Sequence, residues 1–189
     1  IANIITSMAD TWYNIIVMPW TDSANLSTLE QELNDRFGPM KAIDGIAIAA
    51  HSDNHSGLTT LGQSRNSPHL SIFESSGYPI SPEERAAMIA ARIAFAAQND
   101  PARPFQTLSL NGDMAPSDSV RFTDAERNLL LFDGISTCTT DAGGMVRIER
   151  AITTYTENEF GGPDPSYLDL NTLFTLSYLR YTWRARVLQ

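Results

Sequence analysis

The chain has 189 residues, which suits one domain better than two, with 111–120 as the one place where a boundary is conceivable. Its 22 acidic and 13 basic residues give a net charge of −9, which argues against non-specific binding to nucleic acid or to an anionic membrane. No apolar run approaches the roughly 20 residues of a membrane span. The single cysteine, Cys138, excludes an internal disulfide and is best interpreted as a buried structural thiol.

The first half of the chain predicts alternating strands and helices. Apolar runs at 12–20, 42–50 and 69–75 are short and contain β-branched or aromatic residues, which indicates buried strands. A short helix is expected within 56–67. A stripe at helical spacing predicts another helix between the first two strands: Leu26, Leu29, Leu33 and Phe37. This alternation is typical of βαβ units with a partly parallel sheet flanked by helices, an α/β to α+β fold.

The clearest helix signal begins at Ser81. Ser81 is the expected N-cap, Pro82 occupies the first helical position, and Glu84 completes a capping box. The helix is expected to run to about Asn99, before Pro101.

The second half predicts a strand at 104–110, a polar loop, and a helix opened by a capping box of Thr123 and Glu126. Two strand-like runs then flank the short link at 141–144 and predict a β-hairpin whose second strand reaches Tyr155.

A long final helix is expected after the hairpin, with Asp164 as its cap and Pro165 at its start. Apolar residues lie nearly all round this helix, which predicts that more than one of its faces is covered. Its other distinctive residues are arginines: Arg180, Arg184 and Arg186.

The strongest enzyme-like signal is the sequence HSDNHS, which places His51, Asp53 and His55 directly after a buried strand. Alternate positions in an extended chain share one side, so these three residues could bind zinc or iron. The other interpretation is an ordinary polar loop with turn-forming Ser52 and Asn54. Phosphate-binding loops and a serine-hydrolase elbow are absent from the sequence, so we expect no catalytic residues and no cofactor.

Charged residues alternate with aliphatic ones in the stretch VRIER. Arg150 falls on the same strand face as Val146 and Ile148, whereas Arg147 and Glu149 fall on the other. A charge on the apolar face predicts either a paired, partly buried arginine or a face that the chain does not seal by itself.

Residues 143–186 form the most recognisable block, GGMVRIERAITTYTENEFGGPDPSYLDLNTLFTLSYLRYTWRAR, about a quarter of the chain. The VRIER strand, the TTY that follows, DPSY with DLN, and the aromatic helix ending in YLRYTWRAR together resemble contractile bacteriophage tail sheath proteins, particularly the Mu-like group. The sequences WYNIIVMPWTD and the Ala-rich helix are similar to that group as well.

The resemblance implies a structural, non-enzymatic subunit that polymerises with copies of itself around a tail tube, meets baseplate proteins, and contracts. It implies a location in the virion tail, after assembly in the host cytoplasm. Family members are linked by terminal arms, so residues 1–189 are expected to be one compact sheath body without either arm, unable to polymerise alone. Under this interpretation Arg147, Glu149 and Arg150 are expected near the inner side of the tube.

Two other functions stay open from the sequence. One is the equivalent sheath component of a related contractile injection particle, such as a bacteriocin or a secretion system. The other is a metal-dependent hydrolase that uses His51, Asp53 and His55.

Overall fold

A computed structural model describes residues 1–187 of the chain. Within them the helices are α1 (Ala2–Met8), α2 (Ser23–Phe37), α3 (His55–Gln63), α4 (Pro82–Asn99), α5 (Asp124–Phe132) and α6 (Leu170–Val187). The strands are β1 (Ile15–Val17), β2 (Ile46–His51), β3 (Leu70–Glu74), β4 (Ile135–Thr140) and β5 (Val146–Arg150).

The five strands form one sheet in sequential order, β1-β2-β3-β4-β5. The first four strands pair in parallel, and β5 returns antiparallel to β4 as the second strand of a hairpin. The partly parallel sheet with a hairpin and a long last helix confirms the predicted fold class.

Helices cover both faces of the sheet. On one face, α4 and the start of α6 pack on side chains that include Ile48, Phe73 and Ile148. On the other face, α2, α3 and α5 pack on Ala49 and Ile72. The three helices of the second face all lead from one parallel strand to the next, so they share a face as crossovers of one hand require. The apolar core on the α4 face contains residues that come before 111–120 in the sequence and residues that come after it, from Ile46 to Leu173.

Most predicted helices are present because their end signals work as expected. The Ser81 hydroxyl accepts a hydrogen bond from the Glu84 N–H, and Pro82 begins α4. The capping box predicted there is only half formed, because the hydrogen bonds of residues 1–187 do not include one from the Ser81 N–H to the Glu84 side chain. Thr123 and Glu126 form both halves of a capping box at α5. In α2 the stripe of Leu26, Leu29 and Leu33 is buried, while Phe37 is only half-buried.

The predicted strand at 104–110 is wrong as a regular strand. Thr107 has a φ of 63°, which an extended strand does not allow. The segment still pairs irregularly with β5, because the Thr107 N–H donates to the Ile148 carbonyl and the Leu110 N–H donates to the Val146 carbonyl. The strand predicted at 12–20 is also shorter than expected and is confined to β1.

The predicted start of the last helix is wrong. Asp164 is the first residue of a turn in which its side chain accepts from the Ser166 N–H, and not a helix cap. The residues just before α6 then pair with the segment after β5. Ile152 forms an antiparallel β-bridge with Asp169, and the Thr153 N–H donates to the Leu168 carbonyl. This pairing delays α6 to Leu170, and β5 itself ends at Arg150 before the predicted Tyr155.

Candidate functional site

The first turns of α6 are fixed in the apolar core. Leu170 and Leu173 are buried. Phe174 meets Phe105 edge-on, with ring centroids 5.6 Å apart. This half of the helix behaves as an ordinary core element.

The second half of α6 is held by arginines instead of by apolar burial. Arg180 lies over the ring of Phe37 at 3.9 Å and donates a 2.7 Å hydrogen bond to the Phe37 carbonyl. Its other terminal nitrogen lies 2.9 Å from a carboxylate oxygen of Asp44, which is buried, although the two atoms are not aligned for a hydrogen bond. Arg184 donates to the Ala42 carbonyl. We call these contacts the arginine latch.

The aromatic residues of the same half-helix remain exposed. Tyr178, Tyr181 and Trp183 keep 59%, 55% and 65% of their surface accessible. Within residues 1–187 the chain itself therefore leaves these aromatic residues uncovered, and the covering of more than one face of this helix stays a prediction about contacts with partners. Tyr, Trp and Arg are the residues enriched in the buried centres of protein interfaces.

A groove of about 820 Å³ lies beside this exposed face. Its walls come from the end of α4, from α6 and from the segment leading into β1, including Trp12, Ala97 and Tyr178. Trp12 packs edge-on against Tyr181 at 5.8 Å, so the aromatic groups of the groove and of α6 are continuous. Together they form what we call the aromatic surface: Trp12, Tyr178 and Tyr181. Trp183 is exposed on another side of α6, because it lies two residues, about 200° round the helix, from Tyr181.

A buried ionic cluster supports the opposite end of α4. The guanidinium of Arg85, which has no exposed surface, lies 3.0 Å from the Asp113 carboxylate and donates to the Glu74 carbonyl at 2.6 Å. It also lies 3.4 Å from the centre of the Tyr78 ring. Arg85 thus ties the irregular connection after α4, where Asp113 lies, to the end of β3.

Glu74 is the carboxyl group most perturbed by this cluster. It accepts hydrogen bonds from the Cys138 N–H and the Tyr78 hydroxyl. Burial raises the pKa of Glu74 to about 7, against the opposing effect of the nearby Arg85 cation. Cys138 is buried as predicted, and burial raises the pKa of its thiol to about 12.

The three residues of the proposed metal site are directed to different partners. The His51 Nδ1 pairs with the Thr21 hydroxyl at 2.7 Å, and its Nε2 is 3.9 Å from Asp53. His55 contacts the Glu126 carbonyl and the ring of Phe122. Within residues 1–187, no group of three or more His, Cys, Asp or Glu side chains has a geometry that could hold a metal ion.

The three charged residues of β5 each have a partner inside the chain. Arg147 pairs with Asp141, and Arg150 pairs with Asp169 at 3.1 Å. Glu149 accepts from Arg127 at 2.7 Å. The prediction of a paired, partly buried Arg150 is confirmed.

Sequence reasoning missed Asp44, Arg85 and Asp113. One signal for Arg85 was present, because it precedes Ile89 by four residues and therefore lies on the inner stripe of α4. No local pattern marks Asp44, whose partner Arg180 is distant in sequence.

None of the helices described over residues 1–187 combines the length and the apolarity needed to cross a lipid bilayer.

Comparison with protein families gives a match over residues 1–154 to the phage tail sheath protein central domain. The match covers most of the chain, which therefore belongs to the phage tail sheath protein family. Over 185 residues, 98% of the chain, it is 42% identical to the Mu-like prophage FluMu tail sheath protein of Haemophilus influenzae. The chain spans 38% of the length of that relative.

Solved structures share the fold at low sequence identity. A sheath tail protein from Desulfitobacterium hafniense superposes with a TM-score of 0.73 at 12% identity, over 97% of this chain and 41% of that one. A sheath tail protein from Listeria innocua gives 0.71 at 13%, over 95% and 38%. A chain in the anti-feeding prophage baseplate gives 0.63 at 14%, over 98% and 48%.

Proposed function

We propose that the chain is the body of a contractile tail sheath subunit. In this role it polymerises with copies of itself around a tail tube and shortens to drive the tube through the host envelope. The observation that carries the proposal is the exposure of three aromatic residues, Tyr178, Tyr181 and Trp183, on a helix fixed at its other end in the core. Membership of the sheath family supports the same role.

The partners in this proposal are other sheath subunits, the tail tube and the baseplate. The subunit acts in the virion tail and is assembled in the host cytoplasm, and it performs no catalysis. The body is one domain, 1–189, extended in the whole protein by arms that link neighbours. The fold shared with a chain of the anti-feeding prophage baseplate favours one alternative, a role in a related contractile injection particle.

Electron microscopy of the whole sheath protein tests the proposal directly. Long hollow tubes are the expected result, and a protein that forms no ordered polymer under any assembly condition contradicts it. The metal-dependent hydrolase is tested separately by elemental analysis of the purified chain. Stoichiometric zinc or iron that is lost in a His51→Ala, His55→Ala variant would support that rival.

The charged residues of β5 remain a specific prediction within this proposal. Contraction exchanges one set of contacts for another, and ion pairs such as Arg147 with Asp141 are able to change partners in that way. Charge reversal at Arg147, Glu149 and Arg150 in the whole protein should reduce tube assembly while leaving the folded domain intact. Unchanged assembly argues against a place for these residues near the tube.

A further inference from the structure

The chain contains one asparagine that is followed by glycine, at Asn111 and Gly112. Both residues are exposed, in a turn closed by a 3.2 Å hydrogen bond from the Asp113 N–H to the Leu110 carbonyl. Gly112 has a φ of 98°, and a Cβ atom added there would have no other atom within 4 Å. The two residues therefore form an open turn tip that depends on glycine.

The polar groups at this turn tip are free to react with each other. Among the hydrogen bonds described for residues 1–187, none involves the Gly112 N–H or the Asn111 carboxamide. Asn99 is also exposed, but its carboxamide donates to the carbonyl four residues earlier, and the N–H of the following Asp100 donates to the Ala96 carbonyl. Asn111 thus combines a free carboxamide with a free N–H at the next residue, whereas at Asn99 both groups are held.

We propose that Asn111 is a site of spontaneous deamidation, and that its isoaspartyl product loosens the anchor of Asp113 on Arg85. The Gly112 nitrogen, after losing its proton to hydroxide, attacks the Asn111 Cγ and expels ammonia, which leaves a five-membered succinimide. Glycine favours this step because it has no side chain to crowd the attacking nitrogen. Water then opens the ring at one of its two carbonyl groups.

The two products of ring opening differ in the path of the main chain. Breaking the bond between the Gly112 nitrogen and Cγ gives aspartate, with the main chain as it was. Breaking the bond between that nitrogen and the main-chain carbonyl carbon gives isoaspartate, in which the chain runs through the side chain and is one methylene longer. Either way the reaction consumes one water, releases one ammonia and leaves one new carboxylate.

The added methylene falls between two fixed points of the fold. Leu110 is buried, and its N–H donates to the Val146 carbonyl at 2.9 Å. The buried carboxylate of Asp113 lies 3.0 Å from the Arg85 guanidinium. We expect Asp113 to be displaced, because Leu110 is held both by the core and by pairing with β5. A buried ion pair tolerates displacement poorly, since neither charge is able to turn to water instead.

The experiment ages the 189-residue chain for several weeks at pH 8 and, in parallel, at pH 6. Peptide mapping by mass spectrometry should show a gain of about 1 Da at Asn111, and methylation by an isoaspartyl methyltransferase should identify the isoaspartyl form. Conversion should be faster at pH 8, because the attacking nitrogen has to lose its proton. Asn99 in the same digest is the internal control and should convert at least about tenfold more slowly, because two hydrogen bonds have to break first.

Hydrogen exchange measures the loosening. The backbone amides of Leu110 and Asp113, which are both hydrogen-bonded, should exchange at least about tenfold faster in the isoaspartyl chain than in the fresh parent. Fresh Asn111→Asp has the same new charge without the methylene, so it is the matched control and should exchange as the parent does. Asn111→Gln would need a six-membered ring and should stay unmodified.

Enzymatic repair provides a rescue. The methyltransferase with S-adenosylmethionine returns isoaspartate to aspartate through the succinimide, so slow exchange should return after treatment. A mass gain that is absent at Asn111, or no faster there than at Asn99, overturns the modification site. Exchange in the isoaspartyl chain that matches Asn111→Asp, whether both are slow or both are fast, overturns the loosening by the methylene. Tube formation by the whole protein affects neither result, so the site is tested separately from the sheath function.

Discussion

The guanidinium of Arg180 lies 2.9 Å from the buried carboxylate of Asp44 and thereby holds the second half of α6 against the loop before β2. His69 lies close to the same cation. Burial, together with the positive charge of Arg180, lowers the pKa of His69 to about 4, so His69 is neutral at physiological pH. Because His69 is neutral, the positive charge that balances the buried Asp44 carboxylate comes from Arg180.

Replacing Arg180 by Met should destabilise the chain by about 2–3 kcal/mol, because it leaves a buried carboxylate without its counter-charge. The measurement is the free energy of unfolding from urea denaturation monitored by circular dichroism. The exposed Arg186→Met in the same helix is the matched control and should change stability little. In the Arg180→Met, Asp44→Asn double variant part of the loss should be recovered; purely additive losses would contradict the latch.

Glu74 should contribute a loss of stability as the pH rises from about 4.5 to about 7. Its pKa is raised to about 7 in the folded chain, from an ordinary value near 4.5. Between these values the folded state holds a proton that the unfolded state has released, so the contribution of Glu74 to stability is most favourable below pH 4.5 and is lost as the pH rises to about 7. The full effect is about 3 kcal/mol.

Glu74→Gln isolates this contribution, since the glutamine carbonyl still accepts from Cys138 N–H and Tyr78. We expect the variant to be more stable than the parent at pH 8 and to have a flatter dependence of unfolding free energy on pH. Glu84→Gln, at an exposed position, serves as the control. If the difference between Glu74→Gln and the parent does not change between pH 5 and pH 8, the raised pKa is wrong.

The pattern of the sequence predicted those parts of the fold that local signals determine. Ser81 and Thr123 begin helices because their hydroxyls satisfy free N–H groups, an effect confined to a few residues. The delayed start of α6 is different, because the pairing of Ile152 with Asp169 depends on β5 already lying in the sheet. A tertiary contact of this kind produces no periodic pattern of apolar residues, so the start of α6 could not be predicted from the sequence.

The candidate site was only partly predictable for a similar reason. Aromatic residues and arginines around α6 indicated that the helix needs contacts beyond an ordinary core. Which of them are exposed depends on Asp44 and Ala42, which bind Arg180 and Arg184 from a distant loop. The latch therefore turns Tyr178 and Trp183 outward, a result that helical periodicity alone does not give.

Cys138 should be unreactive in the folded chain. Thiol reagents attack the thiolate, and burial raises the pKa of this thiol to about 12 while also blocking access. With Ellman's reagent at pH 8 we expect almost no labelling of the native chain and one thiol per chain in denaturant. A Ser56→Cys variant, exposed at the start of α3, should label once without denaturant. Rapid labelling of the native parent would contradict the burial of Cys138.

Two glycines of α3 provide the sharpest test of the packing between this helix and the sheet. A Cβ atom added at Gly62 would lie 2.1 Å from the backbone carbonyl oxygen of Asp133 and 3.0 Å from Ile135. A Cβ at Gly57 would also lie 2.1 Å from an oxygen, but that atom belongs to the side chain of Asp53, which is exposed. At Gly62 the added Cβ would meet fixed backbone, whereas at Gly57 it would meet a side chain that is able to move.

Gly62→Ala should therefore destabilise the chain by about 3 kcal/mol, since α3 has to move away from the start of β4. Gly57→Ala should be neutral or stabilising by up to about 1 kcal/mol, because alanine is favoured over glycine inside a helix and Asp53 is able to turn aside. Urea unfolding of the two variants measures the difference directly, with helix propensity nearly matched between them. Similar stabilities for the two variants would mean that α3 does not approach β4 as closely at Gly62 as the backbone distance indicates.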